Sequence, residues 1–153
     1  MKLATQQSIF IPLPINTVKK ILRFAKIKKN DILYDLGAGD GRVIITATKN
    51  YGIKAVGFEK NRILAWITKI RIKRSKLNDK VKIINGNFFK QNLSNATIVI
   101  LYLTQKLNDK IQPKLERELK KGTRIISASH IFKGWKEYKK VKTGHFYTYF
   151  YKI

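Results

Sequence analysis

The chain contains no cysteine, which excludes a disulfide framework, a thiol nucleophile and a thiolate metal site. Histidine is nearly as scarce, with only His130 and His145, so no histidine-rich metal centre is expected. No apolar run reaches the length of a membrane span. The first residues, Met1 to Gln6, lack the apolar core of a secretory signal, so the expected location is cytoplasmic. Acidic residues are the most telling shortage: nine Asp plus Glu face 33 Lys plus Arg, a net charge of +24. Such an excess points to a nucleic acid, an anionic membrane surface or an acidic protein as partner. It is also what AT-biased coding produces, since Lys, Ile and Asn are abundant together and the lysines are spread along the whole chain. Composition leaves both readings open.

What the chain does have is organised around one stretch, Tyr34-Asp35-Leu36-Gly37-Ala38-Gly39-Asp40-Gly41-Arg42. Apolar runs lead into it (Ile32-Leu33-Tyr34) and out of it (Val43-Ile44-Ile45), the profile of a strand, a tight glycine turn and a helix start. Glycine there allows positive φ and close approach to a ligand. Unpaired N–H groups at the new helix's N-terminus would favour a ligand carboxylate or phosphate. A second strand, Ala55-Val56-Gly57-Phe58, ends in Glu59, where an acid can accept both hydroxyls of a ribose. A dinucleotide fingerprint needs a third glycine where this chain has Arg42.

Along the rest of the chain, 153 residues and 44% hydrophobic content suit one domain with a real core. Residues 1–15, with Phe10-Ile11-Pro12-Leu13-Pro14, read as an extended arm, because each proline lacks an N–H. Asn16 is the expected N-cap of a helix over 17–25. The helix after the glycine turn should run to about Tyr51 and stop at Gly52. Asn61 to Leu77 reads as a long helix with Ile63, Leu64, Ile67, Ile70 and Leu77 inward and a basic outer face. Such a face is a solvated outer surface or, alternatively, a membrane-surface or RNA-binding element. Val81–Ile84, Ala96–Tyr102 and Thr123–Ser127 are the next expected strands. A helix with Leu107, Ile111, Leu115 and Leu119, bent at Pro113, separates the last two. Tyr138–Val141 and Phe146–Ile153 should close the fold as an antiparallel hairpin. Strands alternating with helices, then a hairpin, give an α/β sheet.

The Asp-x-Gly-x-Gly-x-Gly turn resembles the first motif of the S-adenosylmethionine (SAM) methyltransferases with a Rossmann-like sheet. Further segments sharpen the resemblance: Gly57-Phe58-Glu59, Gly86-Asn87-Phe88-Phe89, Tyr102-Leu103-Thr104, Pro113 to Leu119, Gly122 to Ser127, Gly134-Trp135 and the proline arm. In that order they are similar to the small archaeal protein-lysine methyltransferases and their mitochondrial relatives. The resemblance implies a class I sheet, mostly parallel, and SAM as cofactor. It implies that Gly37 and Gly39 face the methionine part, with Ala38, Asp40 and Lys60 beside it, and that Asp35 holds the amino group. Glu59 would take the ribose, and Asn87 and Phe88 the adenine. Tyr102, Leu103 and Thr104 would line the methyl-transfer channel without a dedicated base. Phe10, Pro12, Leu13, Pro14 and Trp135 would form the lysine entrance, in a monomer acting on protein lysines with broad tolerance.

From the residues alone, Asn87 is equally a turn cap, Phe88 and Tyr102 core aromatics, and Asp40 a turn residue. Two departures from the family pattern bear on substrate. Ser127-Ala128-Ser129-His130 lacks the acid that usually follows the fifth strand, and Leu13 stands where a threonine is usual. The rivals are a nucleic-acid methyltransferase, which +24 supports, and a non-catalytic SAM-binding module. Base amino methylation is disfavoured, because Tyr102-Leu103-Thr104-Gln105 lacks a Pro-Pro-aromatic motif.

Overall fold

The computed structural model describes residues 10–153. Phe10 to Pro14 run as an extended arm into helix α1 (Ile15–Phe24). The cap is Pro14 and not the expected Asn16, because the proline's fixed φ of −55° already sets the chain for the first turn. The part of the expected arm before residue 10 lies outside the described residues.

Strand β1 (Ile32–Leu36), helix α2 (Arg42–Tyr51) and strand β2 (Lys54–Glu59) follow the expected strand–turn–helix–strand pattern. Gly52, left-handed at φ 68°, ends α2 as its C-cap. Then come α3 (Arg62–Arg74), β3 (Val81–Asn85), β4 (Ile98–Leu101) and α4 (Gln105–Glu118). The last elements are β5 (Arg124–Ala128), β6 (Lys139–Lys142) and β7 (Tyr147–Lys152). The seven strands form one sheet in the order β3-β2-β1-β4-β5-β7-β6. β1 to β5 pair in parallel, and β7 runs antiparallel to both β5 and β6.

The central strands are buried on both faces, which is why β4 reads Ile-Val-Ile-Leu without a polar residue. Ile98 and Ile100 pack on the side of α1, α2 and α3, with Leu22, Ile44 and Ile72. Val99 and Leu101 pack on the side of α4, with Ile111, Leu115 and Tyr151. β4 is shorter than the expected Ala96–Tyr102, because Thr97 serves a side-chain network at the sheet's lower edge. Its hydroxyl donates to Asp31 at 2.7 Å and accepts from the Ile32 N–H at 2.9 Å. Arg124 completes this network, bonding Asp31 and the carbonyls of Ala25 and Lys26.

One expectation is overturned in α3. Its buried residues are Ala65, Thr68 and Ile72, while Ile63 is 69% exposed and Leu64, Ile67 and Ile70 are only half-buried. The reason is space. The glycine turn after β1 comes so close that a Cβ on Gly41 would strike the Thr68 methyl, so only small side chains fit beneath α3 there. Thr68 also donates its hydroxyl to the Gly39 carbonyl at 2.9 Å.

Candidate active site

The carboxyl ends of β1, β2 and β4 open into a cleft of about 1000 Å³. It lies where the strand order reverses between β1 and β4, the place where open α/β sheets bind ligands. Its floor is the glycine turn. Gly37, Gly39 and Gly41 all take positive φ, as the sequence requires. The turn's N–H groups, however, are not free for an anion. Those of Gly37 and Ala38 both donate to the Phe58 carbonyl, and that of Gly39 donates to Glu59 at 2.7 Å. The Arg42 N–H goes to Asp40. The expected anion cradle at the start of α2 is thus largely spent on protein groups, and acidic side chains dominate the floor instead.

Asp35 is buried at the end of β1 and lines the cleft. Burial first, then the nearby charges of Glu59 and Asp40, push its carboxyl up from 3.8 to about 7. Glu59 holds the loop after β2, accepting from Gly39 with one oxygen and from Asn61 at 2.9 Å with the other. Asp40 also lines the cleft, but two guanidiniums already neutralise it, Arg42 and Arg71, each at 2.8 Å. Burial alone would raise its carboxyl, yet these arginines hold it below the usual carboxylate range. That favours an Asp40 locked in the turn over one reserved for a ligand.

The walls bring together most of the remaining expected residues. Lys60, Asn87 and Phe88 line the β2–β3 side. Asn87 caps a short turn over Phe88–Lys90, accepting from the Phe89 N–H at 3.0 Å, and Phe88 packs against Phe89. Tyr102, Leu103 and Thr104 line the β4 side. Tyr102 stacks on Phe146 of the hairpin at 5.4 Å between centroids, and Thr104 caps α4. From above, Phe10, Ile11, Pro12 and Leu13 reach in from the arm. Gly39 sits directly under the ring of Phe10. Pro14 caps α1 and does not line the cleft.

Trp135 is not part of this site. It packs between Phe132 and Tyr151 and donates its indole N–H to Glu116 at 2.7 Å, on the α4 side of the sheet. The expected entrance role is corrected on that ground.

Several cleft residues carried no expectation. Arg42, noted in the sequence only for not being glycine, donates to the Leu13 carbonyl at 2.8 Å and ties the arm to the turn. Ser129, left-handed at φ 74°, and His130 line the cleft at the end of β5, and the His130 Nδ1 is buried without a partner among the described residues. Leu64, Phe89, Leu107 and Lys110 complete the lining. No short motif marks these positions, since their placement depends on where distant elements end. Among the described residues no cluster of His, Asp and Glu is arranged to hold a metal, and no helix is long and apolar enough to cross a membrane.

Comparison with known proteins places this geometry. The model of the ANTKMT methyltransferase domain matches residues 35–139. A protein-lysine N-methyltransferase of Saccharolobus islandicus is 41% identical over 139 residues, covering 89% of this chain and 86% of its own. A mouse ATP synthase lysine N-methyltransferase is 29% identical over 82% of this chain, which spans 50% of that protein's length. A crystal structure of an RNA methyltransferase from Salinibacter ruber, in complex with S-adenosyl-L-homocysteine, superposes with a TM-score of 0.91. It is 32% identical, with 94% of each chain covered.

Proposed function

The chain belongs to the ANTKMT methyltransferase family, and from that premise we propose that it methylates lysine side chains of proteins with SAM as donor. The observation that carries the lysine reading is the 41% identity, over nearly the whole chain, to a protein-lysine N-methyltransferase. The Salinibacter relative was crystallised with the demethylated product of SAM, and the residues of this cleft fit such a molecule. SAM is a cation at both its sulfonium and its ammonium, and the floor offers it the acids Asp35 and Glu59 in an otherwise basic protein. Asp35 has no hydrogen-bonding partner of its own among the described residues, so its carboxylate is available to the ammonium. Glu59 is held by two backbone N–H groups and keeps further lone pairs for ribose hydroxyls.

When bound, SAM supplies an electrophilic methyl group. The residues of this chain need only position the acceptor in line with it and remove water. Tyr102, Leu103 and Phe146 make an aromatic and aliphatic wall beside the glycine turn. A lysine brought against such a wall is desolvated, which lowers its pKa and favours the neutral, nucleophilic amine. No dedicated base is required. The cleft is wide and its upper wall is the short arm Phe10–Leu13, so it reads the aliphatic lysine stem more than an extended sequence. We infer broad specificity from this, in a monomeric cytoplasmic enzyme.

A second reading is favoured by the Salinibacter relative, described as an RNA methyltransferase, and by the +24 charge, which also suits an acidic protein or a nucleic acid held alongside the substrate. Incubation with labelled SAM and cell extract, followed by protease or nuclease digestion and mass spectrometry, separates the two. The expected product is methyl-lysine in the protease-sensitive fraction. Label on RNA bases or ribose, with no methyl-lysine in any protein, overturns the lysine reading.

A further inference from the structure

We propose that the outer face of α3 is a docking surface for an anionic lipid bilayer. Successive helical residues turn by about 100°, which gathers Ile63, Trp66, Ile67 and Ile70 within roughly a third of the circumference. The buried residues Ala65, Thr68 and Ile72 lie opposite. The stripe therefore points away from the core, with Ile63 69% and Trp66 62% exposed. Ordinary outer helices put their isoleucines inward, and this one does the reverse because only small side chains fit under the glycine turn.

The border of the stripe decides its occupant. Arg62, Lys69 and Lys73 run along one edge, Arg74 stands at its C-terminal end, and the helix carries no acidic residue. Isoleucines with a tryptophan between cationic edges match the acyl–headgroup boundary of an anionic bilayer, where apolar side chains sink and lysine and arginine meet phosphates. A second copy of the chain would bring two basic edges together with no acid on the helix to pair them. A nucleic acid would meet the cations but gain nothing from three isoleucines, which offer no π-face to a base. The first turn of the same helix, at Asn61 and Leu64, lines the cleft, as do Phe10 and Ile11 of the arm, 42% and 64% exposed. A bilayer on α3 would thus lie beside the cleft mouth and favour substrates at its surface. The docking requires no step of the methyl transfer and is read without SAM.

The test is co-sedimentation with vesicles of phosphatidylcholine alone and of an equimolar mixture with phosphatidylglycerol. The expected result is binding to the mixed vesicles only, with a shift of tryptophan emission to shorter wavelength that Trp66→Phe removes. Ile63→Ser with Trp66→Ser should lower the partition by at least about tenfold. Both side chains are exposed, so circular dichroism and melting should stay unchanged. Overturning results are undiminished vesicle binding by the double variant, absence of binding by the wild type, or a wild-type dimer that the double variant dissolves. Loss of RNA binding in the double variant, with vesicle binding unaffected, would equally overturn it.

Discussion

Asp31 and Asp35 are four residues apart on either side of β1, both buried, and they mark the two ends of the sheet. At the amino end, Asp31 accepts from the Lys28 N–H, the Thr97 hydroxyl and the Arg124 guanidinium. Burial alone would raise its carboxyl, but these donors together hold it below the ordinary range. At the carboxyl end, Asp35 has two carboxylates for neighbours and is pushed up to about 7. A buried acid with all its partners inside the protein is a staple, whereas one left without partners at a cleft is waiting for a cation. Asp40 shows that position at the cleft is not enough, since Arg42 and Arg71 have already claimed it.

The contrast can be broken by substitution. The largest effect is expected from Gly39→Val, whose side chain would land on the Phe10 ring at a left-handed φ of 56°. Calorimetry should then find no SAM binding by a protein that still melts cooperatively. Asp31→Ala should cost about 3–5 kcal/mol of stability, because it leaves Arg124 buried and unpaired, with SAM affinity of the folded protein unchanged. Denaturant titration beside calorimetry reads both. Glu59→Ala should do the opposite, weakening SAM binding by about 1–3 kcal/mol with the fold intact. If the two variants changed the same property, the division between the ends would fail.

The subtlest effect is in pH. Asp31 has a depressed pKa, so its contribution to stability is present above about 3.8 and fades as pH falls further. Asp35 has a raised pKa, so the folded apoprotein holds a proton that the unfolded chain has released. Its stability should therefore decline as pH rises from 3.8 to about 7 and then level off, and Asp35→Asn should remove that slope. SAM affinity should rise over the upper part of the same interval, as Asp35 ionises to meet the ammonium. Thermal melts and titrations across this window, on wild type and Asp35→Asn, check both.

Local pattern was enough for much of this protein. Alternating apolar runs and helical periods defined the strand and helix order, because element type depends on spacing within a few residues. The glycines at 37, 39 and 41 and the acid at 59 were legible for the same reason, each answering a backbone or charge requirement of its own turn. Tertiary contacts decided the rest. α3 is apolar nearly all round, so its sequence could not say which face turns inward, and the crowding of Gly41 against Thr68 chose. Arg42 became the tie to Leu13, Asp40 became a neutralised turn residue, and Trp135 went to the far side of the sheet against Tyr151. Each of these outcomes depends on which distant groups arrive within hydrogen-bonding or packing reach, and that is set only when the sheet assembles.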